Sequence, residues 1–403
     1  MKVKYLVLGA GPAGLTFANR LRELGADDYI VLEQDSEAGG LCRSRVIDGA
    51  PLDIGGGHFL DTKRKNVLRF LFEYMPESEW NVFERDSQID LNGQFVSHPL
   101  EANIWQLDKK SQVEYLKSIA VSGANIGIEK PEKFIEWIYW KLGDKIANEY
   151  MIPYNEKIFG SELNELGTYW LDKLPTVSFE ETLLSCLDKK SYGTQPGHST
   201  FYYPKKYGYG EVWRRLADNL GEKLVLNSKV RVIDLDKRQA ETGKGEKYEA
   251  DYIICTIPWK SVEIVGSISN EMTDLIKELK HTSIVVEYHN EKIETDAHWI
   301  YIPDKNKCYH RILVRSNFAL RSRGYWTETN LSRVNHDIDN NSFLSEYAYP
   351  LNTIGKPVIM MRLLEAMRDK NIFGLGRWGE HQHFNSDVVV EKAIGLAERI
   401  FNL

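Results

Sequence analysis

Cysteine is scarce in this chain. Cys42, Cys186, Cys255 and Cys308 lie far apart, and none stands in a CxxC or zinc-ligand spacing. That argues against a disulfide scaffold or a structural metal and suits a reducing compartment. Long apolar runs are missing as well, since no stretch approaches the roughly 20 apolar residues of a membrane-spanning helix. The opening MKVKYLVLGAGPAGL has the lysines and apolar run of a signal peptide, but Gly9, Gly11, Pro12 and Gly14 would break that helix. Neither sign of charge dominates: 51 Lys and Arg against 58 Asp and Glu leave a net charge of −7 with no long basic run. Nucleic acid and anionic membrane are therefore poor partners. No internal repeat or low-complexity tract is present. The expectation is a cytoplasmic protein with no membrane span. At 403 residues it should hold two or three domains.

What is abundant is clustered glycine. Tyr5 to Leu8 is a short apolar run of the kind a buried parallel strand shows. Gly9, Gly11 and Gly14 follow as GxGxxG, then LTFANRLREL at helical spacing, then DYIVLEQ, a second buried strand ending in Glu33. This is the βαβ unit that holds a dinucleotide. The glycines permit a tight turn and let the backbone approach a pyrophosphate at the helix N-terminus. Glu33 is placed to accept from a ribose hydroxyl. A second glycine pair, Gly39 and Gly40, precedes Arg43, a cation within reach of phosphate.

Taken together, GAGPAGL, Glu33 and GGLCRS resemble the FAD-binding proteins that include amine oxidases, protoporphyrinogen oxidase and UDP-galactopyranose mutase. The resemblance implies an FAD contact set of Gly9, Gly11, Pro12, Ala13, Gly14, Glu33, Gln34, Gly40, Leu41 and Arg43. Val230 would lie beside the adenine, and Gly376, Arg377, Asn385, Ser386 and Val388 would belong to a loop under the flavin. In DIGGGHFL the resemblance places Gly55, Gly56 and Gly57 flat against the flavin ring, where any Cβ would collide. His58 would stand at its reactive face.

Further along, SQIDLNGQFVSHPL reads as two strands around the hairpin dipeptide Asn92-Gly93. Residues 100–190 turn helical, with Pro153 ending or kinking one helix. Strand-like runs return in SIVVEYH, HWIYIP, CYHRILVRS and FLSEYAYP, before a strand, a loop and a closing helix. The fold class is thus α/β. It combines a discontinuous Rossmann-like FAD domain (1–79, 196–268 and 354–403), a helical domain (99–195) and a β-sheet substrate domain (80–98 and 269–353).

Four segments sharpen the resemblance toward UDP-galactopyranose mutase: YNEKIFGSELNELGTYWLDKLP, CYHRILVRSNFA, GRWGEHQHFNSD and DIGGGHFL. By that likeness Arg311 binds a substrate pyrophosphate, with Tyr154, Trp170, Lys173 and Asn317 as further substrate contacts. His58, Arg311, His381 and His383 form the catalytic set. The family's chemistry uses reduced FAD without net redox change, flavin N5 attacking the anomeric carbon and displacing UDP, and requires a reductant such as NAD(P)H. The sequence also departs from the pattern. His381, His383 and Asn385 replace an aromatic-to-acid motif, and Lys173 is the nearest cation to a second arginine position that is unmatched. His381 and His383, two apart, would share one face on a strand; metal is not expected there. Three functions stay open: a nucleotide-sugar mutase, an FAD-dependent oxidoreductase of amines, porphyrinogen-like rings or desaturated lipids, and a non-catalytic FAD-binding protein of glycan synthesis. Homo-oligomerisation is left open too.

Overall fold

The computed structural model describes residues 1–123, 128–171, 177–193, 199–339 and 341–402. The apolar run Lys2–Leu8 forms the middle of the first sheet, parallel to Tyr29–Leu32 on one side and to Lys247–Cys255 on the other. Leu224–Val225 extends one edge, Gln239–Thr242, Val230–Asp234 and Glu263–Val265 the other, and Ile372–Gly374 pairs with Lys247–Cys255. The helices Pro12–Glu23 and Ser386–Phe401 pack on each other and bury apolar residues such as Leu15, Phe17, Val390 and Ala397 in one core with Tyr5 and Val7. The opposite face is closed by Lys356–Arg368 and Asn270–Glu278, through Met360, Leu363 and Ile276. Both faces are covered, which is why the strands carry continuous apolar runs.

A second, seven-stranded sheet runs in the order Ser342–Pro350, His281–His289, Tyr325–Asn330, Arg311–Leu313, Trp299–Tyr301, Ser87–Leu91, Gln94–Ser97. Its last two strands meet at Asn92 and Gly93, both at positive φ, as the Asn-Gly pair requires. The strand Tyr325–Asn330 has no counterpart among the runs read from the sequence. Trp326 through Asn330 are all buried, so polar Thr327, Glu328 and Thr329 face inward and the expected alternation is absent. Trp80–Glu84 instead joins Leu60–Asp61 and Thr200–Pro204 in a small three-stranded sheet. The helical layer includes Lys109–Gly123, Phe134–Ile146, Ile152–Phe159 and Phe179–Asp188. Its main break falls at Gly143 (φ 74), not at Pro153. A Cβ there would sit 2.4 Å from the Ser118 carbonyl oxygen, so glycine lets the two helices touch.

Candidate functional site

The GxGxxG turn is built as its spacing requires. Gly9 has φ 101, and a Cβ on Gly14 would lie 2.0 Å from the Gly9 carbonyl oxygen. Helix Pro12–Glu23 opens at Gly11 with no side-chain cap, leaving first-turn N–H groups for a ligand anion. Glu33 is fixed by two backbone donors, Ala10 N–H to Oε2 at 2.7 Å and Asp35 N–H to Oε1 at 3.0 Å. Burial pushes its pKa up against those bonds. The second glycine pair packs on the first turn, since a Cβ on Gly40 would stand 3.2 Å from Gly11 Cα. Arg43 pairs with Asp35 at 3.0 Å.

These elements border a cavity of about 670 Å³. Of the residues expected from the sequence, Gly9, Gly11, Pro12, Ala13, Glu33, Gln34, Gly40, Leu41, Arg43, His58, Val230, Arg377 and Ser386 line it. Gly14, Gly56, Gly57, Gly376, Asn385 and Val388 do not: Gly14 and Gly376 pack against protein, Asn385 is an exposed helix cap, and Val389 takes the place given to Val388. The cavity also takes Ser228, Arg231, Thr256, Tyr347 and Trp378, which sequence reasoning missed. Thr256 opens the TIP turn at Thr256–Pro258, and Arg231 and Trp378 directly follow the expected Val230 and Arg377.

The glycine run before His58 is also crowded by protein, and of its three members Gly55 lines the cavity. A Cβ on Gly55 would meet the Leu41 carbonyl oxygen at 2.0 Å, on Gly56 Glu328 Oε1 at 2.8 Å, and on Gly57 Leu313 Cδ2 at 2.1 Å. At Gly55 the clash is with fixed backbone, at Gly56 and Gly57 with the ends of side chains, and Gly56 is further held at φ 98. His58 Nδ1 lies 3.0 Å from the Gly56 carbonyl oxygen. A carbonyl only accepts, so Nδ1 carries the proton and Nε2 is left as an acceptor. Burial first, then Arg377, lowers the His58 pKa to about 4, so the ring is neutral at physiological pH.

Beside this loop lies a polar face of the second sheet. Tyr301, Arg311 and Glu328 are direct cross-strand partners on three adjacent strands and share one face. Glu328 is 0% exposed. It accepts from Arg311 Nε at 2.9 Å and Nη2 at 2.5 Å, and from Gly57 N–H at 2.8 Å. Burial alone would raise its pKa, but Arg311 and His310 hold it down at about 2. Burial works against the Arg311 charge, and Glu328 prevails and raises its pKa. Tyr154 meets Tyr301 edge-on at 5.3 Å, and Tyr349 meets His383 at 4.9 Å. Arg377, at the cavity wall, donates to the carbonyls of Phe384 and Ala348.

His381 and His383 do not share a strand face. The chain turns there after the short helix Gly376–Gly379, with His381 at φ 48. His381 is buried, bonds the Lys280 carbonyl at 3.0 Å and packs on Trp378, with burial lowering its pKa to about 3. Neither His381 nor His383 lines the cavity, and His383 meets Tyr349. Among the described residues no cluster of three His, Cys, Asp or Glu could hold a metal. Trp170 donates to Gly167 and packs on Phe134. Asn317 donates to Thr295 and Ala297 carbonyls. Their polar ends are thus engaged by backbone carbonyls, and Lys173 lies outside the described residues. Tyr203 and Tyr209 are wholly buried and bonded to Asp53 and Ser386.

The fold sets a Rossmann-like, largely parallel sheet beside a second sheet, with the cavity along the GxGxxG turn. The family model for flavin containing amine oxidoreductase matches residues 12–289, and the chain belongs to that family. Among solved structures it is similar to reduced UDP-galactopyranose mutase, with TM-score 0.89 and 23% identity over 100% of this chain and 94% of that one. It is also similar to a putative protoporphyrinogen oxidase from Exiguobacterium sp. 255-15, with TM-score 0.71 and 14% identity over 99% of both chains. A curated relative, an uncharacterized protein in the nifH2 3′ region of Methanothermococcus thermolithotrophicus, is 49% identical over 53 residues, 13% of this chain and 50% of that protein. A Baeyer-Villiger monooxygenase from Pseudomonas aeruginosa is 33% identical over 87 residues, 21% of this chain and 14% of its own length. The chain thus spans from 14% to half of the length of these curated relatives. Among the described residues no helix is long and apolar enough to cross a membrane.

Proposed function

We propose that the chain binds FAD and acts on a nucleotide-activated sugar, interconverting its pyranose and furanose forms. The cavity suits FAD by its chemistry: an uncapped helix N-terminus for the pyrophosphate, Glu33 with one lone pair per oxygen left for a ribose, and a long hollow reaching His58. When bound and reduced, the flavin would supply a nucleophilic nitrogen toward the anomeric carbon. Arg311 would bind the diphosphate and steady the leaving group, with Tyr154 and Tyr349 bordering the sugar. His58, neutral, would offer Nε2 as an acceptor at the cavity wall. Lys173 and Trp170 are proposed to hold the nucleotide end, and NAD(P)H to serve as reductant.

The carrying observation is the Arg311–Glu328–Gly57 linkage, which joins an anion-binding guanidinium to the loop of His58. The full-length likeness to a mutase fold supports the same reading. The test is isomerisation of UDP- and TDP-sugars under dithionite, with Arg311→Ala expected to cut turnover at least 100-fold, about 3 kcal/mol of transition-state stabilisation. Unchanged turnover in that variant counts against the proposal. The family's description favours a second reading, oxidation of an amine or related substrate. Substrate-driven bleaching of oxidised flavin would move the assignment there.

A further inference from the structure

Arg311 cannot hold a diphosphate by charge alone, because its partner is already present. Glu328 is buried, ionised and bonded to it through two hydrogen bonds, so the pair presents little net positive charge to a ligand. A nucleoside diphosphate carries at least two negative charges and needs a further cation nearby. The sheet register shows where one stands. Tyr301 pairs with Arg311, and Trp299, two residues earlier on the same face, pairs with Leu313 and Ser87. Arg85 lies over the Trp299 ring at 4.8 Å, donates from Nη2 to the Tyr301 hydroxyl at 3.0 Å and from Nε to Ser87 Oγ at 3.0 Å. Tyr301 therefore has Arg311 on one side and Arg85 on the other.

The position is prepared rather than incidental. Arg85 N–H donates to the Ser199 carbonyl at 2.9 Å, and the next residue, Asp86, donates to His298 Nδ1 at 3.0 Å. Guanidinium stacking on an aromatic face preorganises the fork and keeps its charge. Against Tyr301 also lies His98, ring centroids 4.9 Å apart, whose buried Nδ1 has no partner among the described residues. His98 is held neutral by burial and by Arg85, so it adds no positive charge of its own there.

We infer that Arg85 is a substrate-binding residue, supplying the second cation for the diphosphate of the nucleotide substrate across Tyr301 from Arg311. This inference rests on the proposed function and deepens it. The experiment uses the flavin-loaded protein and titrates UDP by its effect on flavin fluorescence. Wild type should bind; Arg85→Ala should bind about tenfold more weakly or worse, with flavin content and thermal midpoint retained, and Arg85→Lys should recover part of the loss. Tyr301→Phe, which keeps the guanidinium and removes its anchor, should lose less than Arg85→Ala. Equal UDP affinity in wild type and Arg85→Ala overturns the inference and leaves the mutase reading standing. No UDP binding by wild type removes that reading itself. NAD(P)H carries a diphosphate too, so flavin reduction by NADPH is timed on the same variants. Slowed reduction with intact UDP affinity assigns the cation to the reductant and likewise overturns the proposal.

Discussion

Glu328 decides more than any other single residue in the site. A buried carboxylate is costly unless paired and hydrogen-bonded, and here Arg311, Gly57 and His310 supply those partners. The same oxygens hold the cation and the glycine loop, so removing the charge acts on both. Glu328→Gln is expected to lose about 3 kcal/mol in urea unfolding, the usual cost of leaving one member of a buried pair alone. Glu271→Gln, which breaks an exposed pair with Arg362, should change little. Equal midpoints for the two variants would refute the assignment. Nothing local in WTETN announced this residue; its meaning comes from three strands brought side by side.

At the level of elements, the loop 53–58 and the turn 39–43 are fitted to each other backbone to backbone. Gly55 lacks a Cβ because the Leu41 carbonyl occupies its place. Gly55→Ala is expected to cost about 1–3 kcal/mol, as overpacking does, and to release flavin on purification, read as the ratio of visible to ultraviolet absorbance. Gly355→Ala, with open space around it, is the control. Retained colour in Gly55→Ala would show that the loop can shift without harm. The glycine run was legible as a demand for close approach, but its partners were not, because Leu41 and Glu328 arrive from a separate turn and from a strand 271 residues beyond Gly57 in the chain. The same limit applies to His381 and His383: their spacing fits a strand, yet the segment follows a short helix and turns, so the two rings part.

Across the whole molecule, buried titrating groups set how stability varies with pH. His98, His310 and His381 are held neutral, burial being the largest cause in each. Each contributes stability present above the unfolded pKa of 6.5 and lost as pH falls below it. Asp53 acts in the opposite sense. Burial raises its pKa from 3.8 to about 7 despite bonds from Ser44, Tyr209 and Tyr203, so its contribution is lost as pH climbs through that window. His58, His281 and His298 are lowered in the same way, and Glu33, Asp86 and Glu101 are raised like Asp53; the histidines outnumber the acids, so the urea midpoint should rise between pH 4 and 6.5. Asp53→Asn should steepen that rise by about 1.4 kcal/mol per pH unit. A flat profile, or one unchanged by the substitution, would contradict this balance.

The amino-acid sequence by itself determined the dinucleotide unit, because its turn, helix and acidic residue are consecutive and their physics is local. It also determined the hairpin at Asn92-Gly93 and the α/β class, through periodicity and turn chemistry. Only the tertiary structure decided that Arg311, Tyr301 and Glu328 share a sheet face, what packs against the three glycines before His58, and that Glu328 joins Arg311 to Gly57. Those facts depend on register between strands far apart in the chain, and a one-residue slip would turn Arg311 and Tyr301 to the opposite face.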